Sequence, residues 1–368
     1  VQPQFLEAAH RRGSDGGTEM TIPKTMKAAV LHAAHDLRVE EVRVPALGPE
    51  DVLVRVRACG ICASDVHYYE TGAIGRYVVN APMIVGHEAA GEVVAVGEQV
   101  ASLQPGARVA IEPGVTCGRC RYCKSGRYNL CPQVEFYATP PVHGAMAEYA
   151  VIRADFAHPI PDTVSYEQAA LVEPISVGIH AARLTDVQPG KTVLVLGAGP
   201  IGLLAVVAAR HAGAEQVIIS DVYPKRLETA ERLGVTAAVN VRTDDLAAAV
   251  SRLTDGEGAD ALLDTSGNRS ALENAPSLMR RGGAIAVIGL PENDAVTYRM
   301  NTVVDKELAI QGVFRYANTY PAGIRLVASG QYPVEAVITD YLPLDRTNEG
   351  FDVAMHQKDR AIKVMILP

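Results

Sequence analysis

Cys62, His87 and Glu88 bring a thiolate, an imidazole and a carboxylate into one stretch, GICASDVHYYETGAIGRYVVNAPMIVGHEAAG, in which the histidine follows the cysteine by twenty-five residues. Sulfur, nitrogen and oxygen donors together suit zinc, a borderline-soft ion that tolerates mixed, open coordination when it must also hold water or substrate. Spacing alone does not establish such a site, because a single cysteine and a single His-Glu pair are more often core or surface residues. Ser64, Asp65 and His67 follow Cys62 at two, three and five residues. Taken singly they read as a turn or helix cap and a solvated loop histidine.

A second group of sulfur donors is denser. CGRCRYCKSGRYNLC sets Cys117, Cys120, Cys123 and Cys131 in two successive C-x-x-C spacings and a longer step to the last. Four thiolates close a tetrahedral shell and leave no open position, so the expected ion is structural, with the neighbouring Lys and Arg residues offsetting the charge. Free surface thiols rarely cluster this closely.

Glu173 stands in AALVEPISVGI, immediately before Pro174. A carboxylate among Ala, Leu, Val and Ile is costly unless it is paired or bound to metal, although a partly exposed Glu at a helix bend is the plainer alternative.

The other chemical signature is a glycine fingerprint. In KTVLVLGAGPIGLLAVVAARHAGAEQVIISD a buried strand from Thr192 to Leu196 runs into Gly197-x-Gly199-x-x-Gly202, then an apolar helix, a second strand and Asp221, nineteen residues past the last glycine. Glycines let backbone amides at a helix N-terminus approach a pyrophosphate, and an acid at the end of the second strand accepts from a ribose diol. Lys225-Arg226 shortly after is the competing signal, a pair that can meet a phosphate. Asp221 predicts NAD, because its charge would repel a 2'-phosphate.

The elements that must position these groups alternate in character. KAAVLH, LRVEEVRV and DVLVRVRA read as strands leading into Cys62, and GEVVAVGEQV and LQPGARVAIEP continue a barrel-like β pattern beyond Glu88. DTVSYEQAALVEPISVGIHAARL reads as helical with Asp162 or Ser165 as cap. After the glycine fingerprint, AAVNV, GADALLDTSG, GGAIAVIGL and ELAIQGVF extend a doubly wound sheet of about six strands. The last segment, with a helical IRLVASG and a strand-like IKVMILP, is expected to fold back on the first domain. The predicted class is α/β, with a β-rich catalytic domain over 26–163 and 313–368 and a dinucleotide-binding domain over 164–312.

A chain of 368 residues with 48% hydrophobic content supports two ordinary domains rather than disorder. The net charge of -8 and the absence of Trp give no basic face for nucleic acid or anionic lipid and no common interfacial anchor. Small-molecule chemistry is therefore expected, with no nucleic-acid or membrane partner. The run from Lys191 to Arg210 is apolar enough to resemble a membrane span but is interrupted by GAGP, and reads as strand, turn and helix. Residues 1–25 are expected to be a mobile extension with ordered sequence beginning near Met20 or Met26. They lack the apolar core of a signal peptide, and with six cysteines expected as reduced thiols this predicts a cytoplasmic protein.

From about Met26 onward the chain resembles the zinc-dependent medium-chain dehydrogenases, and GICASDVHYY is similar to their polyol (sorbitol and xylitol) branch. The resemblance implies a GroES-like catalytic domain and a Rossmann coenzyme domain, two zinc ions per chain, NAD and a homotetramer. It implies Cys62, His87 and Glu88 as ligands of a catalytic zinc, with Glu173 either ligating or holding the metal-bound water. It also gives Ser64 the role of binding the reacting hydroxyl, Asp65 that of orienting the ligand histidine, and His67 the end of a proton relay. Tyr68, Tyr77, Phe136, Arg315 and Tyr316 are the implied substrate contacts. The implied cofactor contacts are Gly197, Gly199, Pro200, Ile201, Gly202, Asp221, Arg226, Ile288, Gly289, Leu290, Phe314 and Arg315. The expected reaction is reversible oxidation of a polyol's secondary alcohol to the ketose. Threonine or butanediol dehydrogenases of the same superfamily are the rival enzymes, and a catalytically silent binding protein is the rival from another class. Some polyol dehydrogenases lack the four lobe cysteines, so their presence here does not decide the substrate.

Overall fold

The computed structural model describes residues 22–291 and 295–368, so the expected extension falls mostly outside the described residues. Two sheets organise the chain. The seven-stranded sheet runs Ala157–Pro159, Arg108–Ile111, Glu88–Val96, Asp51–Gly60, Lys363–Leu367, Ile338–Pro343, with Tyr149–Arg153 also paired to Asp51–Gly60. It therefore mixes early strands with the last two of the chain. Asp51–Gly60 and Glu88–Val96 are largely buried along their length, as strands in the middle of such a sheet must be.

The six-stranded parallel sheet draws every strand from Thr192 to Gly312, in the order Ala237–Asn240, Gln216–Asp221, Thr192–Leu196, Ala259–Asp264, Met279–Val287, Ala309–Gly312. The first strand in sequence is central and the order reverses beside it, which opens a crevice at the strands' carboxyl ends. Thr192–Leu196 is buried at all five positions, as a central parallel strand must be.

The apolar run noted in the sequence divides as expected into the strand Thr192–Leu196 and the helix Pro200–His211. Among the described residues, no helix is long and apolar enough to cross a membrane. Ser165, rather than Asp162, caps the next helical passage, with Gln168 completing a reciprocal capping box. That passage is two helices, Tyr166–Ala170 and Val172–Leu184, and the break at Leu171 sets Glu173 in the first turn of the second.

Candidate active site and metal centres

Strand register builds the first metal-ligating group. Gly60 pairs with Glu88 across the strands Asp51–Gly60 and Glu88–Val96. A Cβ on Gly60 would stand 2.2 Å from Oε2 of Glu88, so only glycine leaves the room that this carboxylate occupies. Two residues on, Cys62 caps the helix Ala63–Thr71, and Asp65 in its first turn accepts from the Cys62 amide at 3.0 Å. The other oxygen of Asp65 accepts from the Gly86 amide at 3.0 Å and lies 3.6 Å from Nδ1 of His87. One buried carboxylate thereby ties together the two segments that carry the donors.

The donor atoms of Cys62, His87 and Glu88 lie within 4.8 Å of one another. Such a triangle surrounds a single zinc ion, whose bonds to these atom types are about 2.0–2.3 Å. His87 Nδ1 is buried without a hydrogen-bond partner among the described residues and lies 3.6 Å from Asp65. The residues fit the ion that their chemistry suggests.

Lys363 is a member of this site that sequence reading missed. Its ammonium is 2% exposed and donates to both oxygens of Glu88 at 2.7 Å and to the Ile61 carbonyl at 2.9 Å. The strand Lys363–Leu367 pairs with the end of Asp51–Gly60, which delivers the lysine beside Glu88. Nearby carboxylate and thiolate charge outweigh burial and raise its pKa, so it remains a cation.

Glu173 is buried, against the plainer expectation of a half-exposed residue at a bend. It stands outside the group of three whose donor atoms close on one another, and its Oε1 accepts from the Tyr316 hydroxyl at 2.8 Å. Burial pushes its carboxyl up to about 7 despite the opposing pull of His87, and nearby Glu88 adds to the rise.

Arg315 connects Glu173's partner to the apolar wall. Its guanidinium lies 3.9 Å from the ring centroid of Phe136 and 4.8 Å from that of Phe314, while Phe136 packs 5.6 Å from the His87 ring. Nη1 of Arg315 is buried and has no hydrogen-bond partner among the described residues. Tyr68 is buried, and that burial pushes its hydroxyl up to about 12, so it stays neutral. Tyr77 is half-buried with its hydroxyl on Arg76, Ser64 occupies the first turn after Cys62, and His67 on the same helix is exposed.

The four lobe cysteines also converge. Sγ separations are 3.5 Å for Cys117 to Cys131, 3.5 Å for Cys120 to Cys123 and 3.9 Å for Cys117 to Cys123. The edges of a tetrahedron with zinc–sulfur bonds of about 2.3 Å are close to 3.8 Å, so the lobe matches a closed four-thiolate site. None of the four is in a disulfide.

At the carboxyl ends of the parallel strands lies a cleft of about 640 Å³ lined by Gly197, Gly199, Asp221, Tyr223, Arg226 and Ser266 among others. Gly197 has φ 91°, and a Cβ on Gly202 would meet the Gly197 carbonyl oxygen at 1.9 Å, so both positions demand glycine. Asp221 accepts from the amides of Ala198, Val222 and Tyr223 at 2.6, 2.7 and 2.9 Å, which fixes it against the glycine turn. Tyr223 was not singled out in the sequence, although its place two residues after Asp221 is the available signal. Its ring carries the guanidinium of Arg226 at 4.9 Å and that of Arg242 at 5.7 Å. Pro200 and Ile201 open the helix Pro200–His211, Ile288, Gly289 and Leu290 follow the strand Met279–Val287, and Phe314 is 44% exposed; none of these lines the cleft.

A Rossmann crevice joined to a β-rich unit with an open mixed-donor metal site and a closed four-cysteine lobe defines a zinc-type dehydrogenase. Residues 48–162 match the alcohol dehydrogenase GroES-like domain and residues 200–329 the zinc-binding dehydrogenase family. Sorbitol dehydrogenase of Bacillus subtilis is 48% identical over 95% of this chain and 99% of its own length. Sorbitol dehydrogenase of Mus musculus is 41% identical over 92% of this chain and 94% of its own. A crystal structure of an Escherichia coli oxidoreductase of unknown specificity, ECK1772, superposes with a TM-score of 0.89 at 38% identity, covering 93% of this chain and 99% of that one. The chain belongs to the zinc-binding alcohol dehydrogenase family and is an oxidoreductase.

Proposed function

We propose that this chain oxidises a straight-chain sugar alcohol such as sorbitol or xylitol at C2 to the ketose, with NAD as hydride acceptor. The observation that carries the reading is the buried, unpartnered Nη1 of Arg315 beside Glu173, Tyr316 and Tyr68, with Phe136 as an apolar wall. A polyol carries a hydroxyl on every carbon, and each one taken from water needs a partner in the pocket. Converging donors and acceptors around a single apolar face meet that need. The sorbitol dehydrogenases among its relatives support the same substrate class.

Zinc held by Cys62, His87 and Glu88 would supply Lewis acidity toward the reacting hydroxyl, and a second zinc would hold the Cys117, Cys120, Cys123 and Cys131 lobe. Ser64 would hydrogen-bond the reacting oxygen, and a relay through the cofactor ribose to exposed His67 would pass the hydroxyl proton on to solvent. Lys363 holds Glu88 in place and neutralises its charge, and Tyr316 orients Glu173. Asp221, fixed by three amides, receives the ribose diol of NAD.

The division into 26–163 with 313–368 and 164–312 is supported by the membership of the two sheets. Cytoplasmic location is supported by cysteines that are free or grouped as ligands. Homo-oligomer formation, a tetramer on family resemblance, is supported by the outer edge of the sheet strand Ala309–Gly312 and by Leu290, Met300 and Val304, exposed at 78%, 59% and 70%. The test of function is initial rates on pentitols, hexitols, threonine, 2,3-butanediol and simple secondary alcohols with NAD and NADP. Threonine or 2,3-butanediol turned over far more efficiently than every polyol would overturn the substrate assignment.

A further inference from the structure

The segment that carries Arg315 holds an unfavourable backbone. Arg315 has φ 55° and Asn318 φ 56°, left-handed conformations in non-glycine residues within four positions of each other. Such a turn persists only where its surroundings fix it. Here the bonds come largely from the four-cysteine lobe. Asn129, buried between Cys123 and Cys131, donates Nδ2 to the Phe314 carbonyl at 2.8 Å. The Asn318 amide donates to the Tyr128 hydroxyl at 2.8 Å, and Asn318 Nδ2 donates to the Gly126 carbonyl at 2.7 Å. Arg183 closes the far side by donating to the Asn318 carbonyl at 2.9 Å.

The first of these bonds has the most direct consequence for the site. The Phe314 carbonyl belongs to the peptide plane that precedes the Cα of Arg315, so its orientation sets where the guanidinium points. Asn129 is the lobe's side-chain donor to that plane, across 185 residues of chain. Tyr128 is itself anchored, donating to Glu112 Oε1 at 2.6 Å, and Glu112 Oε2 lies 2.7 Å from His158 Nε2. The brace is therefore backed by buried polar contacts and does not hang from a free loop.

We propose that Asn129 is a positioning residue for substrate selection: through the Phe314 carbonyl it holds Arg315 over Phe136, so the cysteine lobe shapes polyol recognition as well as stability. This rests on the polyol reading of Arg315. It assigns the lobe a role in specificity that a purely structural knob would not have. An apolar residue at 129 leaves the Phe314 carbonyl without its buried donor and frees the peptide plane to rotate.

The test is a double-mutant cycle between Asn129→Leu and Arg315→Leu, run on whichever substrate the wild-type enzyme turns over best among those that Arg315→Leu impairs. Asn129→Leu is expected to raise the Michaelis constant about tenfold, to change kcat/KM for a simple secondary alcohol by less than twofold, and to keep the wild-type zinc content. The double variant is expected to be no worse than Arg315→Leu alone, because both changes remove one interaction. Asn318→Gly, which keeps the left-handed backbone and removes only the bond to Gly126, is expected to give a smaller rise in the same direction. If Asn129→Leu fails to fold, that glycine variant replaces it in the cycle. Multiplying penalties, an unchanged Michaelis constant, or equal losses on simple alcohols would overturn the role of Asn129. Because the cycle follows the enzyme's best substrate, loss of the polyol assignment changes the substrate used and leaves this result readable.

Discussion

Tyr316 donates its hydroxyl to Oε1 of Glu173 over 2.8 Å, joining a buried acid in the first turn of one helix to a phenol 143 residues later in the chain. The bond ties Glu173, which lies outside the Cys62, His87 and Glu88 group, to a residue proposed as a substrate contact. Glu173→Ala removes a carboxylate whose burial is unfavourable, so the fold should lose little while the site loses an acceptor. Turnover is expected to fall at least a hundredfold, with a thermal midpoint within a few degrees of wild type. Unchanged turnover would reduce Glu173 to a tolerated helix residue.

Lys363 and Glu88 form an ion pair in which both side chains are almost wholly buried. Removing one partner of such a pair leaves an uncompensated charge in the interior and costs about 3–5 kcal/mol. Lys363→Met should show that loss in urea titrations of chelator-treated protein, and Lys363→Met with Glu88→Leu should recover much of it. A single variant within about 0.5 kcal/mol of wild type, inside the range of ordinary surface changes, would refute the pairing.

The two donor sets predict two zinc ions per chain. Elemental analysis after gentle dialysis should find both. Cys120→Ser should lose one ion and lower stability more than it lowers turnover per folded molecule, because the lobe site is closed and does no chemistry on substrate. One zinc per chain in pure, fully active protein counts against the assignment.

For the cofactor, charge decides. Asp221 is fixed at the end of its strand by three amides, while Arg226, which lines the same cleft, and Arg242 both lie against the Tyr223 ring. The carboxylate repels a 2'-phosphate and the guanidinium groups attract one, and the nearer, rigid acid should prevail. At least a tenfold preference for NAD is expected, about 1.4 kcal/mol. Asp221→Ser should shift the ratio toward NADP by tenfold or more, since it removes the repulsion and leaves both arginines. Equal efficiency of the wild-type enzyme with the two cofactors is the contrary result.

What could be seen in the sequence was what local chemistry constrains. Gly197 and Gly202 stand out because no other residue fits a positive φ or an approach of 1.9 Å to a carbonyl oxygen. Ser165 was one of two cap candidates with Asp162, and the capping box with Gln168, three residues on, decides between them. The six-strand alternation was legible for the same reason, each strand and helix carrying its own period. Lys363 was hidden, because in AIKVMILP it reads as an ordinary polar position on a strand and its partner Glu88 is 275 residues away. Asn129 was equally hidden, since a bond to a backbone carbonyl leaves no mark on the residue that supplies it. The hydrogen bond from Tyr316 to Glu173 was hidden as well, a tertiary contact that no spacing rule connects.

Arg315→Leu bears most directly on the substrate. The guanidinium stacks on Phe136, and its Nη1 has no partner among the described residues, so a bound substrate oxygen is the group it can serve. A charge-assisted hydrogen bond of that kind contributes about 1.5–3 kcal/mol, which corresponds to roughly a 10- to 150-fold rise in the Michaelis constant. Leucine keeps much of the stem volume against the ring and removes the donors. Sorbitol and xylitol should therefore suffer, while a simple secondary alcohol, with no second hydroxyl to present, should react as before. Threonine would use the same arginine for its carboxylate but also needs an anionic partner for its ammonium. Glu173 is the nearby acid, yet burial raises its carboxyl to about 7 and Tyr316 already holds one oxygen. Steady-state kinetics on the three substrate types would separate these cases: a variant that loses simple alcohols as severely as polyols would show that Arg315 supports the reacting centre itself and does not select among substrates.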